Sequence, residues 1–309
     1  MLSLTSRLPA SGVSIFAVMT RLAQECGAVN LSQGFPDFPC AASLVDGVAR
    51  HMRAGHNQYA PMPGVLALRQ ALARKIQRLY GHAYDPETEI TVTSGATEAL
   101  FSTLTALVHP GDEVLLFQPA YDAYTPAVRL SGGVPVYATL RGPEYRIDWD
   151  EVRRLVTHRT RVIVINSPHN PTGTVWTAAD MRELARVLQH TDAVVVSDEV
   201  YEHLVFDGLV HESVARHPDV AARAVLISSF GKTYHTTGWK VGYAAAPRAI
   251  AAEIQRVHQW VTFAVNTPAQ LAFAEAVDAD PACHGVTAFY QARRDRFRAL
   301  VDGSRFTIR

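Results

Sequence analysis

The sequence contains few cysteines, no excess of charge of either sign and no long apolar run. Its 309 residues include three cysteines, Cys26, Cys40 and Cys283, and their wide spacing argues against a disulfide framework or a zinc site. Lys plus Arg and Asp plus Glu number 29 each, so no net positive charge would attract nucleic acid or an anionic membrane. No apolar run approaches the length of a membrane span. We therefore expect a cytoplasmic protein that binds no metal, nucleic acid or membrane.

The composition is that of an ordinary globular protein. Along the chain, strand patterns alternate with helix patterns. Hydrophobic residues make up 48% of the sequence, enough for a large core. Short apolar runs predict strands at Ile90–Thr93, Glu113–Phe117, Val134–Ala138, Arg161–Ile165, Ala193–Ser197, Ala224–Ile227 and Lys240–Ala246. Strands of this kind separated by helices predict an α/β fold with a mostly parallel sheet covered on both faces.

Helical spacing of apolar residues predicts the helices between and around these strands. The longest are predicted at Ser14–Cys26, Ala41–Ala54, Val65–Tyr80, Thr97–Val108, Thr177–Gln189, Arg248–Trp260, Pro268–Ala276 and Thr287–Val301. Asp148-x-x-Glu151 resembles a capping box that opens a further helix, and Thr177 is a candidate N-cap.

Four polar loops follow predicted strands, and the carboxyl ends of parallel strands meet at one edge of a sheet. The loops are Ser94-Gly-Ala-Thr97, Asn166 to Gly173, Asp198-Glu-Val-Tyr201 and the segment that carries Lys232. Backbone N–H groups where the first loop enters a helix can bind phosphate. A desolvated lysine can form an imine with a carbonyl compound.

Each of these residues also has an ordinary explanation. Lys232 could be a solvated loop lysine, Asp198 a helix cap, Asn170 a turn residue and Tyr121 a packing aromatic. Together, however, a phosphate cradle, an imine-forming lysine, an acid and a flat aromatic ring suit pyridoxal 5′-phosphate (PLP). In such a site the lysine binds the aldehyde, and the acid keeps the ring nitrogen protonated so that the ring can accept electrons.

Five motifs in the sequence are similar to those of class I/II aminotransferases of PLP fold type I. They are Ser229-Phe-Gly-Lys-Thr-Tyr-His-Thr-Thr-Gly-Trp-Lys-Val-Gly, Asn170-Pro-Thr-Gly, Ser197-Asp-Glu-Val-Tyr, Ser94-Gly-Ala-Thr-Glu-Ala and Asn30-Leu-Ser-Gln-Gly-Phe-Pro-Asp-Phe. The resemblance covers nearly the whole chain. Within the family it is strongest to bacterial methionine aminotransferases, with kynurenine aminotransferases nearby. It implies transamination of an amino acid with a 2-oxo acid.

The resemblance implies a role for each residue around the cofactor ring. Lys232 would bind PLP covalently and then move the proton between the substrate Cα and the cofactor C4′. Asp198 would pair with the ring nitrogen. Tyr201 and Asn170 would donate to the phenolic oxygen, and Tyr121 would stack on the ring.

The resemblance also implies which residues hold the phosphate and the substrate. The phosphate would be bound by Gly95, Ala96, Thr97, Ser229 and Lys240, with Tyr59 reaching in from a second subunit of a homodimer. Lys240 stands where many relatives carry arginine. The lysine keeps the positive charge but lacks the bidentate fork of the guanidinium group. Gly34 and Asn170 would contact the substrate carboxylate, and Phe16 would line the side-chain pocket.

The resemblance divides the chain into a large PLP domain, residues 41–265, and parts of a small domain. Residues 1–40 would contribute an N-terminal segment, and residues 266–309 would form interdomain helices and the start of the small domain. Arg305-Phe-Thr-Ile-Arg309 would be its first strand. In the family this domain continues and supplies an arginine for the substrate carboxylate. We therefore expect a C-terminally truncated chain with poor turnover.

Three activities remain open from the residues alone. A transaminase and a PLP-dependent cysteine-conjugate β-lyase would share every residue named above, and a PLP-binding remnant with little turnover would share most of them. Ser229-x-x-Lys232 also fits the motif of penicillin-recognising enzymes, but the K-T-G and S-D-N elements of that class are absent from the sequence.

Overall fold

The computed structural model describes residues 4–9, 12–34, 36–280 and 283–306, and these residues are built around one seven-stranded sheet. Its strands are Ile90–Thr93 (β1), Glu113–Gln118 (β2), Val134–Thr139 (β3), Thr160–Asn166 (β4), Val194–Asp198 (β5), Ala224–Ser229 (β6) and Gly242–Ala245 (β7). They lie in the order β1-β7-β6-β5-β4-β2-β3. Only β7 runs antiparallel to its neighbours within this described sheet, so the predicted mostly parallel α/β fold is confirmed.

The helices lie on both faces of the sheet. They are Ile15–Glu25 (α1), Ala42–Arg53 (α2), Leu66–Tyr80 (α3), Gly95–Leu107 (α4), Tyr124–Leu130 (α5), Trp149–Leu155 (α6), Ala178–Leu188 (α7), Pro218–Ala221 (α8), Phe230–Thr233 (α9), Arg248–Val261 (α10), Thr267–Ala279 (α11) and Val286–Val301 (α12). The sequence pattern missed α5, α8 and α9, which are short. Of the described helices, none is long and apolar enough to cross a membrane.

Alternate residues of each strand supply the two halves of the core. One half joins α3, α7 and α11 to the sheet, through Leu72, Leu184, Phe273, Ile163 and Leu226. The other half joins α4, α5 and α10 to the opposite face, through Leu104, Val128, Ile254, Val164 and Ile227. This two-sided burial explains why the strands are nearly continuous apolar runs.

The two predicted caps have different outcomes. Thr177 opens α7 with a full capping box, in which Thr177 and Asp180 exchange side-chain and backbone hydrogen bonds. Asp148 does cap α6, since its carboxylate accepts from the N–H groups of Asp150 and Glu151. The predicted box is wrong, however, because the Glu151 carboxylate turns away and pairs with Arg141 at 3.2 Å.

The predicted terminal strand is not found among the described residues. Arg305 and Phe306 follow α12 without regular structure, and Thr307 to Arg309 lie outside the described part of the chain. Phe35 of the Asn30 to Phe38 motif also lies outside it. Neither α1 nor α12 buries any residue whose side chain is described.

Candidate active site

The polar loops meet in a cavity of about 500 Å³ at the carboxyl ends of β1, β4, β5 and β6. Every residue predicted for the site except Tyr59 lines this cavity: Phe16, Gly34, Gly95, Ala96, Thr97, Tyr121, Asn170, Asp198, Tyr201, Ser229, Lys232 and Lys240. The antiparallel direction of β7 places its beginning, just after Lys240, at the same edge. The segment between β6 and β7 therefore delivers both lysines to one site.

The N-terminus of α4 and Lys240 together form an anion cradle. The helix starts at Gly95, two residues earlier than the pattern predicted, and Gly95 has a φ of +73°. A Cβ at Gly95 would lie 3.2 Å from the Lys240 Nζ, so the ammonium group lies directly over the backbone at the helix start. Gly242 is equally confined, since a Cβ there would lie 2.8 Å from the Ala96 nitrogen. Free N–H groups, the helix dipole and an ammonium group suit a phosphate.

Asp198 ends β5 as a buried carboxylate facing the cavity. Its Oδ2 accepts a hydrogen bond from the Tyr124 hydroxyl at 2.7 Å, and its Oδ1 accepts from the Val200 N–H at 3.3 Å. Burial raises the pKa of Asp198 to about 6, against the opposing effect of these hydrogen bonds. A buried carboxylate that still ionises near neutral pH needs a cationic partner. A protonated ring nitrogen would meet that need.

Lys232 lies in the single helical turn α9, whereas the sequence predicted a polar loop there. The turn closes because Phe230, the first residue of α9, stacks on Phe273 at 4.3 Å between ring centroids. The Lys232 Nζ lies 3.5 Å from the Gly34 carbonyl oxygen and 5.6 Å from the Tyr201 ring centroid. Burial, assisted by the charge of Lys240 and opposed by Asp198, lowers the pKa of Lys232. The amine is thus favoured as a nucleophile.

Tyr201 faces the same space as a neutral hydrogen-bond donor. Burial, with the nearby Asp198 charge, raises the pKa of Tyr201 to about 12, so its hydroxyl keeps its proton at neutral pH. The cavity therefore offers four kinds of group: a nucleophilic amine, an anion cradle, a buried acid and a phenol. It fits a phosphorylated pyridine aldehyde.

Of the cavity residues to which the sequence assigned no role, two make hydrogen bonds at Asp198: Tyr124 and Asn166. The Asn166 amide donates to the Asp198 carbonyl oxygen at 2.8 Å, and its Oδ1 accepts from the Asn170 N–H at 2.7 Å. A signal for Asn166 was present, because it ends β4 as Asp198 ends β5, and the two are paired in register. Tyr124 gave no comparable signal, since it opens a helix of seven residues.

A buried ion pair lies behind the cavity wall. Glu202 follows Tyr201, and its Oε1 accepts from the Lys75 Nζ at 2.6 Å and from the Ser228 hydroxyl at 3.1 Å, while its Oε2 accepts from the Tyr80 hydroxyl. Although burial opposes ionisation, the Lys75 ammonium holds the pKa of Glu202 well below its usual range. These contacts fix the segment that presents Asp198 and Tyr201.

Lys75→Met should destabilise the fold by about 3–5 kcal/mol, because it leaves the Glu202 carboxylate buried without its cation. Denaturant unfolding measures the change in free energy. Arg74→Met is the matched control, since the neighbouring Arg74–Asp278 pair is 60% and 48% exposed and should contribute at most about 1 kcal/mol. Equal losses in the two variants would contradict the assigned importance of the buried pair.

Two groups that the family resemblance implies are not found on the described wall of the cavity. Tyr59 lies outside it with 84% of its surface exposed, and its ring contacts Phe263 edge-on at 5.5 Å. Among the described residues that line the cavity there is no arginine. The expectation of poor turnover is not tested by these contacts and stays a prediction.

The comparisons with known proteins agree with the site. Residues 27–308 match the family Aminotransferase class I and II. The chain is 51% identical over 304 residues to the methionine aminotransferase of Escherichia coli K12, covering 98% of this chain and 79% of that one. It is 42% identical over 308 residues to the probable N-succinyldiaminopimelate aminotransferase DapC of Mycobacterium tuberculosis H37Rv, covering 98% and 77%.

Among solved structures, YbdL from Escherichia coli, described as having a methionine aminotransferase function, matches with a TM-score of 0.95 at 50% identity. The match covers 99% of this chain and 80% of that one. The chain belongs to the class I and II aminotransferases. Its cofactor is pyridoxal 5′-phosphate, which supplies the electron-accepting ring on which amino groups are exchanged.

Proposed function

We propose that this enzyme transaminates methionine or an aromatic amino acid, with a 2-oxo acid as the amino acceptor. The observation that carries the proposal is the chemistry of the cavity wall. Phe16 and Leu100 offer apolar surface, while the only cations on the described wall are Lys232 and Lys240, which the cofactor requires. A substrate with a second carboxylate would find no further cation there. The name of the Escherichia coli relative supports the same substrate class.

We further propose how the residues of the site share the work. Lys232 binds the cofactor and later carries the proton from the substrate Cα to C4′. Asp198, held by Tyr124, keeps the ring nitrogen protonated, and Tyr121 lies against the ring. Tyr201 and Asn170 donate to the ring hydroxyl oxygen, and Asn170 also binds the substrate carboxylate.

The outer contacts of cofactor and substrate complete this assignment. Gly95, Ala96, Thr97, Ser229 and Lys240 bind the phosphate; the position of the Lys240 Nζ over Gly95 supports this. The Gly34 backbone contacts the substrate carboxylate, and Phe16 contacts the substrate side chain.

The domain division is also a proposal. Residues 41–265 form the large domain, which is supported by their holding the whole described sheet. Residues 1–40 and 266–309 belong to the small domain and its connections. The cytoplasm is proposed as the compartment, supported by three free cysteines, which suit a reducing environment.

A substrate panel tests the proposed function. The purified enzyme loaded with PLP is supplied with 2-oxoglutarate or a 2-oxo analogue of methionine and with methionine, phenylalanine, kynurenine or N-succinyl-diaminopimelate, and the oxo-acid product is identified by mass. Highest kcat/KM with methionine or an aromatic amino acid is expected. Preference for the dicarboxylate substrate would contradict the proposal. Pyruvate and thiol released from a cysteine conjugate would instead identify a β-lyase.

We propose a homodimer in which Tyr59 completes the phosphate site of the partner. Its support is an exposed apolar surface around Tyr59 that a monomer would leave in water: Met52, Tyr59, Trp260, Val261 and Phe263. Tyr59→Phe should weaken PLP binding about 10-fold or more, because a hydrogen bond to a charged phosphate is lost.

Mixed dimers show whether Tyr59 acts across the interface. A dimer of one Tyr59→Phe subunit and one Lys232→Ala subunit contains one intact site if Tyr59 acts on its partner, and none if it acts on its own subunit. At a PLP concentration that leaves the Tyr59→Phe homodimer largely unloaded, we expect the mixed dimer to regain activity that both homodimers then lack. No recovery, or a PLP-bound monomer in light scattering, would contradict the assignment.

A further inference from the structure

Beneath the phosphate cradle lies a buried pair of ionisable side chains, Glu98 of α4 and His258 of α10. Their exposed fractions are 9% and 0%. The Glu98 Oε2 accepts from the Ser94 N–H at 3.0 Å, and its Oε1 accepts from the Ser102 hydroxyl at 2.5 Å. The His258 ring contacts Glu98 Oε1 through Nδ1 at 3.1 Å and the Met62 carbonyl oxygen through Nε2 at 3.1 Å.

The number of protons in this arrangement follows from its acceptors. A carboxylate and a backbone carbonyl can only accept hydrogen bonds. A neutral imidazole carries one N–H, so one of its two nitrogens would face an oxygen lone pair without a proton. Both contacts are satisfied only if a further proton lies between His258 and Glu98. With that proton the pair is neutral overall; without it the pair is an anion beneath the phosphate site.

A second buried pair in the protein shows the contrast. His211 contacts the Glu199 carboxylate through Nε2 at 2.8 Å, but its Nδ1 is buried without a hydrogen-bond partner. One proton, on Nε2, is enough for this histidine. The further proton is therefore required at His258 because both of its ring nitrogens face oxygen acceptors.

The pair connects the two parts of the proposed phosphate site. Through Ser94, Glu98 holds the start of the cradle. Through Met62, His258 holds the Tyr59 loop, here defined as Gln58–Gly64. The backbone carbonyl of His258 also accepts from the Phe263 N–H at 3.0 Å, and the Phe263 ring packs against Tyr59. His258 therefore holds Tyr59 in two ways, through the Met62 carbonyl of the Tyr59 loop and through Phe263, whose ring packs on Tyr59.

We infer that Glu98 and His258 are positioning residues that share one additional proton and thereby hold the phosphate cradle and the partner-directed Tyr59 loop in a fixed relation. The role in cofactor binding rests on the function proposed above. The shared proton keeps the pair neutral, so it does not repel a phosphate dianion bound at the start of α4. The phosphate cradle and the Tyr59 loop of the proposed interface are then held in place by the same two side chains.

The other elements packed against α4 carry few ionisable residues: Tyr124 and Arg129 on α5, Asp198 on β5 and Tyr243 on β7. Glu98 is the only ionisable residue of α4, β1 contains none, and the Tyr59 loop contributes only the exposed Tyr59. On α10 itself, Arg256 pairs with Glu253 at the surface. Arg248 is the remaining ionisable residue of that helix, and it stands at its first position.

Two variants separate the shared proton from simple packing. In Glu98→Gln the amide can accept from the Ser94 N–H and donate to both His258 Nδ1 and the Ser102 hydroxyl oxygen, so a neutral His258 satisfies every contact once the Ser102 hydrogen bond reverses direction. In His258→Gln the two amide N–H groups share one nitrogen, which cannot stand at the positions of both ring nitrogens, so the contact with either Met62 or Glu98 is lost. Glu98→Gln should bind PLP within about threefold of the parent, whereas His258→Gln should bind it about 10-fold more weakly and dissociate more readily into monomers.

The direct readout is ¹⁵N NMR of histidine-labelled protein near neutral pH, with His258→Gln used to assign the signals. We expect both His258 nitrogens to carry protons in the parent protein, or one of them to share its proton with a protonated Glu98. In Glu98→Gln a neutral ring protonated on Nε2 is expected. His211→Asn is the matched control and should leave PLP affinity and the His258 signals unchanged.

The outcomes distinguish a failure of the shared-proton inference from a failure of the proposed function. A neutral His258 in the parent beside an ionised Glu98, shown by the ¹³C signal of its carboxyl group, would overturn the inference. So would wild-type PLP affinity and dimerisation in His258→Gln. Failure of the parent protein to bind PLP would contradict the proposed function instead, and the NMR signals of the apoprotein would still report the proton.

Discussion

Replacing Lys232 by alanine is expected to lower the rate of amino-group transfer by at least about 10³-fold, since a positioned acid–base group alone contributes about 10²–10⁴-fold. Burial lowers the pKa of Lys232, and its Nζ lies beside Gly34 and Tyr201. In the proposed assignment Lys232 is the group that carries a proton from the substrate Cα to the cofactor. PLP should still bind, through the cradle and Asp198.

The measurement is a single-turnover reaction of PLP-loaded enzyme with methionine, followed by absorbance. Lys232→Arg is the matched control, because it keeps the positive charge but cannot form an imine, and it should be equally slow. Borohydride reduction of the parent protein, followed by peptide mass analysis, should place the cofactor on Lys232. A tag on Lys240, or none with PLP in excess, would refute the assignment.

Asp198→Ala should slow the same half-reaction by about 10²–10³-fold, the usual loss when one group that stabilises transition-state charge is removed. The carboxylate is buried and oriented by Tyr124, and its pKa of about 6 leaves it mostly ionised at neutral pH. A ring nitrogen without this partner loses its proton and accepts electrons poorly. Cofactor binding should weaken less than the rate, because the lysine and phosphate contacts remain.

Comparison of Asp198→Ala with Asp198→Asn and Tyr124→Phe tests this prediction. Asp198→Asn keeps the shape and can accept from the Tyr124 hydroxyl, so it separates charge from packing and should be nearly as slow as Asp198→Ala. Tyr124→Phe keeps the charge and should be affected about 10-fold at most, as expected for one hydrogen bond. If Asp198→Asn transferred amino groups at the parent rate, the proposed role of the charge would be wrong.

The sequence predicted the sheet and most of the cavity for a physical reason. Buried parallel strands are recognisable as apolar runs, and the first polar residue after each run must lie at the common edge. Asp198 could be placed in this way from the sequence alone, and Asn170 lies in the polar loop that follows the apolar run of β4. The segment around Lys232 was predicted in the right place but as a loop, because four residues are too few to show a helical period.

The supports of the site could not be predicted, since their partners are distant in the chain. Glu98 and His258 are 160 positions apart, and Lys75 and Glu202 are 127 apart. Each of the four residues, taken alone, has the pattern of an ordinary helix or loop residue. Their pairing depends on how α3, α4 and α10 pack on the two faces, which no local pattern specifies.

The place of β7 in the sheet has a consequence for how the protein folds. Val92 of β1 pairs with Tyr243 of β7, although nearly half of the chain lies between them. The cradle at Gly95 meets Lys240 only after this distant pairing has formed, and pairings of such long range make folding slow. The unfolded chain therefore has no phosphate site, and PLP at 100 times its Kd would stabilise the native state by about 2.7 kcal/mol. Cofactor capture during refolding would thus report the moment when the first and last strands join.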